Sequence, residues 1–190
     1  MKKSIALVMM AVLLVAASVM GTLAFLTSTD SVKNTFTVGK VVITLDEAQV
    51  DEYGKAVTPA SRVKENTYKL IPGHAYTKDP TVHFAAGSEA SYLFVKVENG
   101  ITAIEADKKI ADQITVNGWT ALDSVTGVYY QKVDANTGAA AIDYPVFGTF
   151  KLTDDANVAN YATANVTVTA YAIQADGFTT AAAAWAEVSK

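Results

Sequence analysis

Beyond residue 34 the chain alternates apolar and polar residues with a period of two, in runs rich in Val, Ile, Thr, Tyr and Phe that turn residues interrupt at short intervals. Alternation of this kind puts successive side chains on opposite faces of an extended strand, and it predicts a mostly β domain. In Lys40 to Asp46, Val41, Ile43 and Leu45 share one face, with Lys40, Thr44 and Asp46 opposite. Asn165 to Gln174 sets Val166, Val168, Ala170 and Ala172 against Thr167, Thr169, Tyr171 and Ile173. Further strands are predicted near Tyr68 to Ile71, Thr81 to Phe84, Ser91 to Glu98, Ile114 to Ala121, Val128 to Val133 and Pro145 to Leu152, with a weaker one at Lys55 to Thr58. Asn99-Gly100, Asn117-Gly118 and Asp176-Gly177 are the sharpest turn signals. Two short helices are predicted, Ile104 to Ala111 and, capped by Thr180, Ala181 to Val188, whose alanine run reads as a small-residue packing surface. Roughly eight or nine strands with turns every ~8 to 12 residues predict an all-β fold, a two-sheet sandwich of the immunoglobulin or jelly-roll kind.

The segment before residue 25 follows a different rule. Met1-Lys2-Lys3 is a short positive region, Ile5 to Met20 is almost uninterruptedly apolar, and Thr22-Leu23-Ala24 supplies small residues at the positions a signal peptidase reads. The pattern predicts a signal-peptide helix over residues 1–24, cleavage between Ala24 and Phe25, and a β-sandwich domain over 25–190. Extending the apolar run to Leu26 reaches the ~20 residues of a bilayer span, so an uncleaved anchor is the competing reading. No cysteine follows the run, which excludes lipid attachment there. Contact with the membrane is expected only through the leader before cleavage.

Composition narrows the function classes. Of 190 residues, 51% are hydrophobic and 18% charged, and none is cysteine, which excludes a disulfide scaffold and any Cys-ligated metal. A mature domain of this size buries around 70% of its unfolded surface and can build its core without disulfides. Loss of Lys2 and Lys3 with the leader leaves 13 basic against 19 acidic residues, so nucleic acid is not expected as a partner.

No catalytic pattern stands out: there is no G-x-S-x-G, no H-E-x-x-H, no phosphate-binding glycine loop and no acidic calcium loop with its closing Glu. Neither an enzyme nor a bound cofactor is expected. The two histidines, His74 and His83, are nine residues apart, an odd separation that on one strand would put them on opposite faces. Asp154-Asp155 reads as a solvated turn, and Asn165-Val166-Thr167 matches a glycosylation sequon.

Most functional information lies between Phe25 and Leu45. In an extended chain the even positions Leu26, Val32, Phe36 and Val38 share one face, whereas from Val41 onward the odd positions are apolar. The parity changes at Gly39, and a glycine at such a switch marks a bulge or hinge. Residues 25–38 therefore read as a separate strand-like piece that can complete the sheet edge of another subunit, seating Val32 and Phe36 in apolar grooves, or else as an ordinary first strand or lead-in.

The run from Gly21 to Glu47, with Thr22-Leu-Ala-Phe-Leu-Thr-Ser-Thr-Asp-Ser31 and Asn34-Thr-Phe-Thr-Val-Gly39 as its distinctive parts, resembles the leader junction and first strand of the TasA/camelysin family of exported bacterial proteins. Leu70-Ile-Pro-Gly73, Lys78-Asp-Pro-Thr-Val82, Ser91-Tyr-Leu-Phe-Val-Lys-Val97 and Val168 to Phe178 extend the resemblance over the whole chain. It implies a jelly-roll sandwich, a dedicated signal peptidase, export from a Gram-positive type of bacterium, and assembly with copies of itself or related matrix subunits into extracellular biofilm fibres. It also implies that residues 25–38 are donated as a strand to the neighbouring subunit. Two alternatives stand beside this: a camelysin-type surface metallopeptidase using His74 or His83, and a monomeric exported adhesion or glycan-binding module.

Overall fold

Three consecutive strand residues, Leu93, Phe94 and Val95, have no solvent exposure. Because neighbouring side chains point to opposite faces, their strand must be covered on both sides. The computed structural model describes residues 39–190 together with Met9 and Met10. Among the described residues the chain is mostly β and sandwich-like, with ten strands in three antiparallel sheets and two short helices of eight residues or fewer.

The first sheet has the order β2-β1-β4-β8, from Arg62–Val63, Ile43–Ala48, Thr81–Phe84 and Ile142–Pro145. The second has the order β10-β5-β7-β6, from Val166–Gln174, Ser91–Asn99, Val128–Val133 and Thr120–Ala121. A third, two-stranded sheet pairs β3 (Ala75–Thr77) with β9 (Thr149–Lys151). One face of each large sheet contributes to a common core: Ile43 and Leu45 of β1, Val82 and Phe84 of β4, Leu93, Val95 and Val97 of β5, and Val166, Val168, Ala170 and Ala172 of β10. The parity read from β1 and β10 is therefore the parity of burial.

On its other face the second sheet carries Tyr92 and Phe94 of β5, Val128 and Tyr130 of β7, and Tyr171 and Ile173 of β10. Helix α2 (Ala181–Val188) covers them. Thr180 caps it by accepting from the Ala183 amide at 3.2 Å, and Ala181, Ala184, Trp185 and Val188 form the packed stripe. Small alanines let the helix approach closely, and the Trp185 ring then meets Phe94 and Tyr171 with centroids 5.3 and 5.2 Å apart.

The differences from the expected elements have local causes. Ile114 to Ala121, expected as a strand because of its β-branched residues, is instead the end of helix α1 (Ile110–Val116) followed by a turn and the short β6. Ile110 and Ile114, four apart, are 1% and 0% exposed, so burial of one helical stripe outweighs strand propensity there. The helix expected over Ile104 to Ala111 reduces to a 3-10 turn at Thr102–Ile104, and α1 begins only at Ile110, whose amide donates to the buried Glu105 carboxylate at 3.0 Å. Tyr68 to Ile71 pairs with no strand. The Tyr76 hydroxyl holds it instead, donating to the Lys69 carbonyl and accepting from the Ile71 amide, both at 2.7 Å. Pro145 to Leu152 splits into the end of β8 and β9, in different sheets. The ladder of β1 starts at Ile43 rather than Lys40, although Lys40 and Val42 still accept from the Glu89 and Ala85 amides.

Candidate functional site

Backbone hydrogen bonds in an antiparallel ladder alternate between the two sides of a strand, so the bonds that exist show which groups point elsewhere. Gly100 donates to the Asn165 carbonyl and Ala175 to that of Ala90, which turns the odd residues of β10 towards β5. The amides and carbonyls of Val166, Val168, Ala170 and Ala172 therefore point away from β5. β10 is the last strand in its sheet, and among the described residues no strand takes that outer edge. β1 has a similar margin. Val42 accepts from Ala85 on the β4 side, so Ile43 and Leu45 turn to the opposite side, where β2 reaches only Glu47 and Ala48.

Beside these two margins lies a cleft of about 940 Å³. Leu45, Tyr68, Leu70, Phe150, Val166 and Val168 give it an apolar lining, continuous with the inter-sheet core. Its polar part comes from β1 and the segment after β2. Glu47 continues the apolar parity of Ile43 and Leu45, so its carboxylate enters the interior, where Lys78 Nζ pairs with it at 2.6 Å and Asn66 Nδ2 donates to it at 3.0 Å. The two charged side chains are only 5% and 11% exposed. Tyr68 stands beside this pair, its hydroxyl donating to the Thr77 carbonyl at 2.9 Å. Burial, reinforced by the charges of Glu47 and Asp79, pushes its phenol well above the ordinary range, so Tyr68 is a fixed neutral donor.

A second cluster occupies the solvent side of the first sheet. His83 of β4 lies between Asp143 of β8 and Asp46 of β1, with Nδ1 2.6 Å from one carboxylate and Nε2 2.9 Å from the other. Arg62 of β2 bonds Asp46 and reaches Asp79 at 3.2 Å, so four strands and the turn before β4 are tied across one face. Burial lowers the basicity of His83, but hydrogen bonds and charge from Asp46 and Asp143 outweigh it and hold the imidazolium above its usual 6.5. Burial raises Asp46, but Arg62 and His83 outweigh it and hold the carboxyl below 3.8. The His83 contribution is therefore complete below pH 6.5 and lost as pH rises through the raised value; the Asp46 contribution is present above pH 3.8 and lost as pH falls through the lowered one. In urea unfolding, the wild type is expected to gain about 1 kcal/mol on His83→Gln between pH 8.5 and pH 6. Parallel stability curves for the two proteins would show that protonation of His83 adds no stability through the clamp.

The positions singled out in the sequence are distributed unevenly. The junction Ala24–Phe25 and the positions Leu26, Val32, Phe36 and Val38 lie outside the described residues. Gly39 precedes β1 in no strand; a Cβ there would come within 2.8 Å of the Glu89 side chain, a flexible group that can swing aside. His74 lies in the turn before β3 with its ring 4.5 Å from Tyr76, and shares no partner with His83. Among the described residues no three His, Asp or Glu side chains gather as a metal site requires, and no helix is long and apolar enough to cross a membrane. The cleft itself was not found by sequence reading. Its one legible sign was Glu47, a charged residue in phase with an apolar face.

No family model, curated protein or solved structure matches the chain. The described residues thus define a mostly β, sandwich-like domain with a lateral cleft beside one unpaired and one partly paired strand margin.

Proposed function

We propose that the protein is a secreted structural subunit of extracellular biofilm-matrix fibres, a member of the TasA/camelysin group with a jelly-roll strand order, and that each subunit inserts residues 25–38 into the lateral cleft of the next. One observation carries this reading: two strand margins with outward-pointing backbone groups border a cleft, part apolar and part polar, that opens into the core. Exposed edges of this sort are templates for pairing, and residues 25–38, whose apolar face of Leu26, Val32, Phe36 and Val38 is interrupted by Ser28 and Asp30, offer both backbone groups for the edge and side chains for the cleft. The proposed occupant immediately precedes the described domain. At ~3.3 Å per residue residues 25–38 extend about 45 Å, more than the roughly 30 Å of the nine-residue β10.

Because the strand leaves one copy and enters another, the contact is heterologous and propagates into a filament. The role is structural rather than enzymatic. It needs no cofactor, and its partners are copies of the chain or related matrix subunits after a dedicated signal peptidase has cut behind Ala24. The metallopeptidase alternative draws no support from His74 and His83, which bond to different elements. Negative-stain electron microscopy of the protein purified from culture medium, with N-terminal sequencing, tests the proposal. Filaments built from chains beginning at Phe25 are expected; a monodisperse protein without filaments across concentration and pH counts against it.

A further inference from the structure

The margin of β1 is not bare. β2 pairs with it at only two positions, Glu47 with Val63 and Ala48 with Arg62. One more step of the antiparallel ladder would set Glu65 opposite Leu45. The chain turns away instead: Asn66 bonds back to β1, donating to the Ala48 carbonyl at 2.9 Å and accepting from the Val50 amide at 3.0 Å. The Leu45 carbonyl, the next acceptor along the edge, is taken by a side chain. Lys64 Nζ donates to it at 2.5 Å. Lys64 is exposed, and both Lys64 and Leu45 line the cleft.

We propose that Lys64 is a gatekeeper of the β1 edge, its ammonium occupying the Leu45 carbonyl until an incoming strand from a second copy of this chain displaces it; this rests on the strand-donation reading. The chemistry suits the task. An ammonium on a four-carbon stem is mobile, and a single solvent-exposed contact is weak enough to exchange, yet a lysine on a strand edge discourages unspecific pairing by other chains. An incoming backbone N–H competes with Lys64 Nζ for the Leu45 carbonyl, so Lys64 opposes each addition step.

The test compares the purified wild-type protein with Lys64→Met, which keeps the aliphatic stem but removes the donors, and with Lys64→Arg, which keeps the charge. Elongation from added filament seeds and the monomer concentration left at the end are the readouts, with thermal unfolding as the control. Lys64→Met is expected to elongate at least about threefold faster and to leave less monomer, the size expected from removing one exposed charge-assisted contact, with an unchanged unfolding midpoint. Lys64→Arg should stay near the wild type. Filaments that elongate no faster in Lys64→Met overturn the gatekeeper role and leave strand donation standing. Absence of wild-type filaments overturns both.

Discussion

Deleting Phe25 to Lys33 is expected to abolish filaments while leaving a folded, soluble monomer. Among the described residues the inter-sheet core is drawn from Val41 onward, and the deletion touches none of them, so far-UV circular dichroism and the unfolding midpoint are expected to match those of the parent chain. It removes the apolar positions Leu26 and Val32 and nine of the fourteen residues of the proposed donor segment. The truncated chain keeps its own cleft and can still accept. Mixed with intact subunits it should therefore cap one end of growing filaments and shorten them in proportion to its fraction, a dominant effect that a merely misfolded variant does not produce. Filaments made by the truncated chain alone would refute strand donation.

The second large effect concerns the Lys78–Glu47 pair. Removing one partner of a buried, hydrogen-bonded ion pair strands the other charge in a poorly solvated place, at a cost of about 3 to 5 kcal/mol. Lys78→Met is expected to lose that much stability in denaturant unfolding, since Glu47 would retain only the Asn66 amide. The double variant Glu47→Leu with Lys78→Met should recover most of it, because two apolar side chains need no compensation there. A Lys78→Met protein within about 1 kcal/mol of wild type would mean that water reaches Glu47, and that the polar part of the cleft is wetter than its burial indicates.

Long strands whose two faces differ are legible in the sequence. β10 and β1 carry their apolar positions at the parity that the core uses, and the Thr180 cap with the alanine run marked α2. Failures cluster where short-range pattern is ambiguous. Ile110–Val116 combines β-branched residues with apolar positions four apart, and only the space available to Ile110 and Ile114 decides for helix. β2, β3 and β9, of two or three residues each, are too short for a period to be seen. Apart from Glu47, the cleft left no sign in the sequence for a different reason: which edge stays unpaired is a property of sheet order, and sequence periodicity gives the faces of a strand but not its neighbours. Lys64 likewise looks like any solvated lysine until its ammonium is seen on the Leu45 carbonyl.

The packing of α2 has a practical corollary. The helix lies against the Phe94 and Tyr171 side of the second sheet, whereas the cleft borders the Val166 and Val168 side. A fluorophore or affinity handle attached at Lys190 therefore emerges on the far side of a β-layer from the cleft, which makes that position suitable for testing the proposed assembly by single-particle imaging without touching the proposed joints.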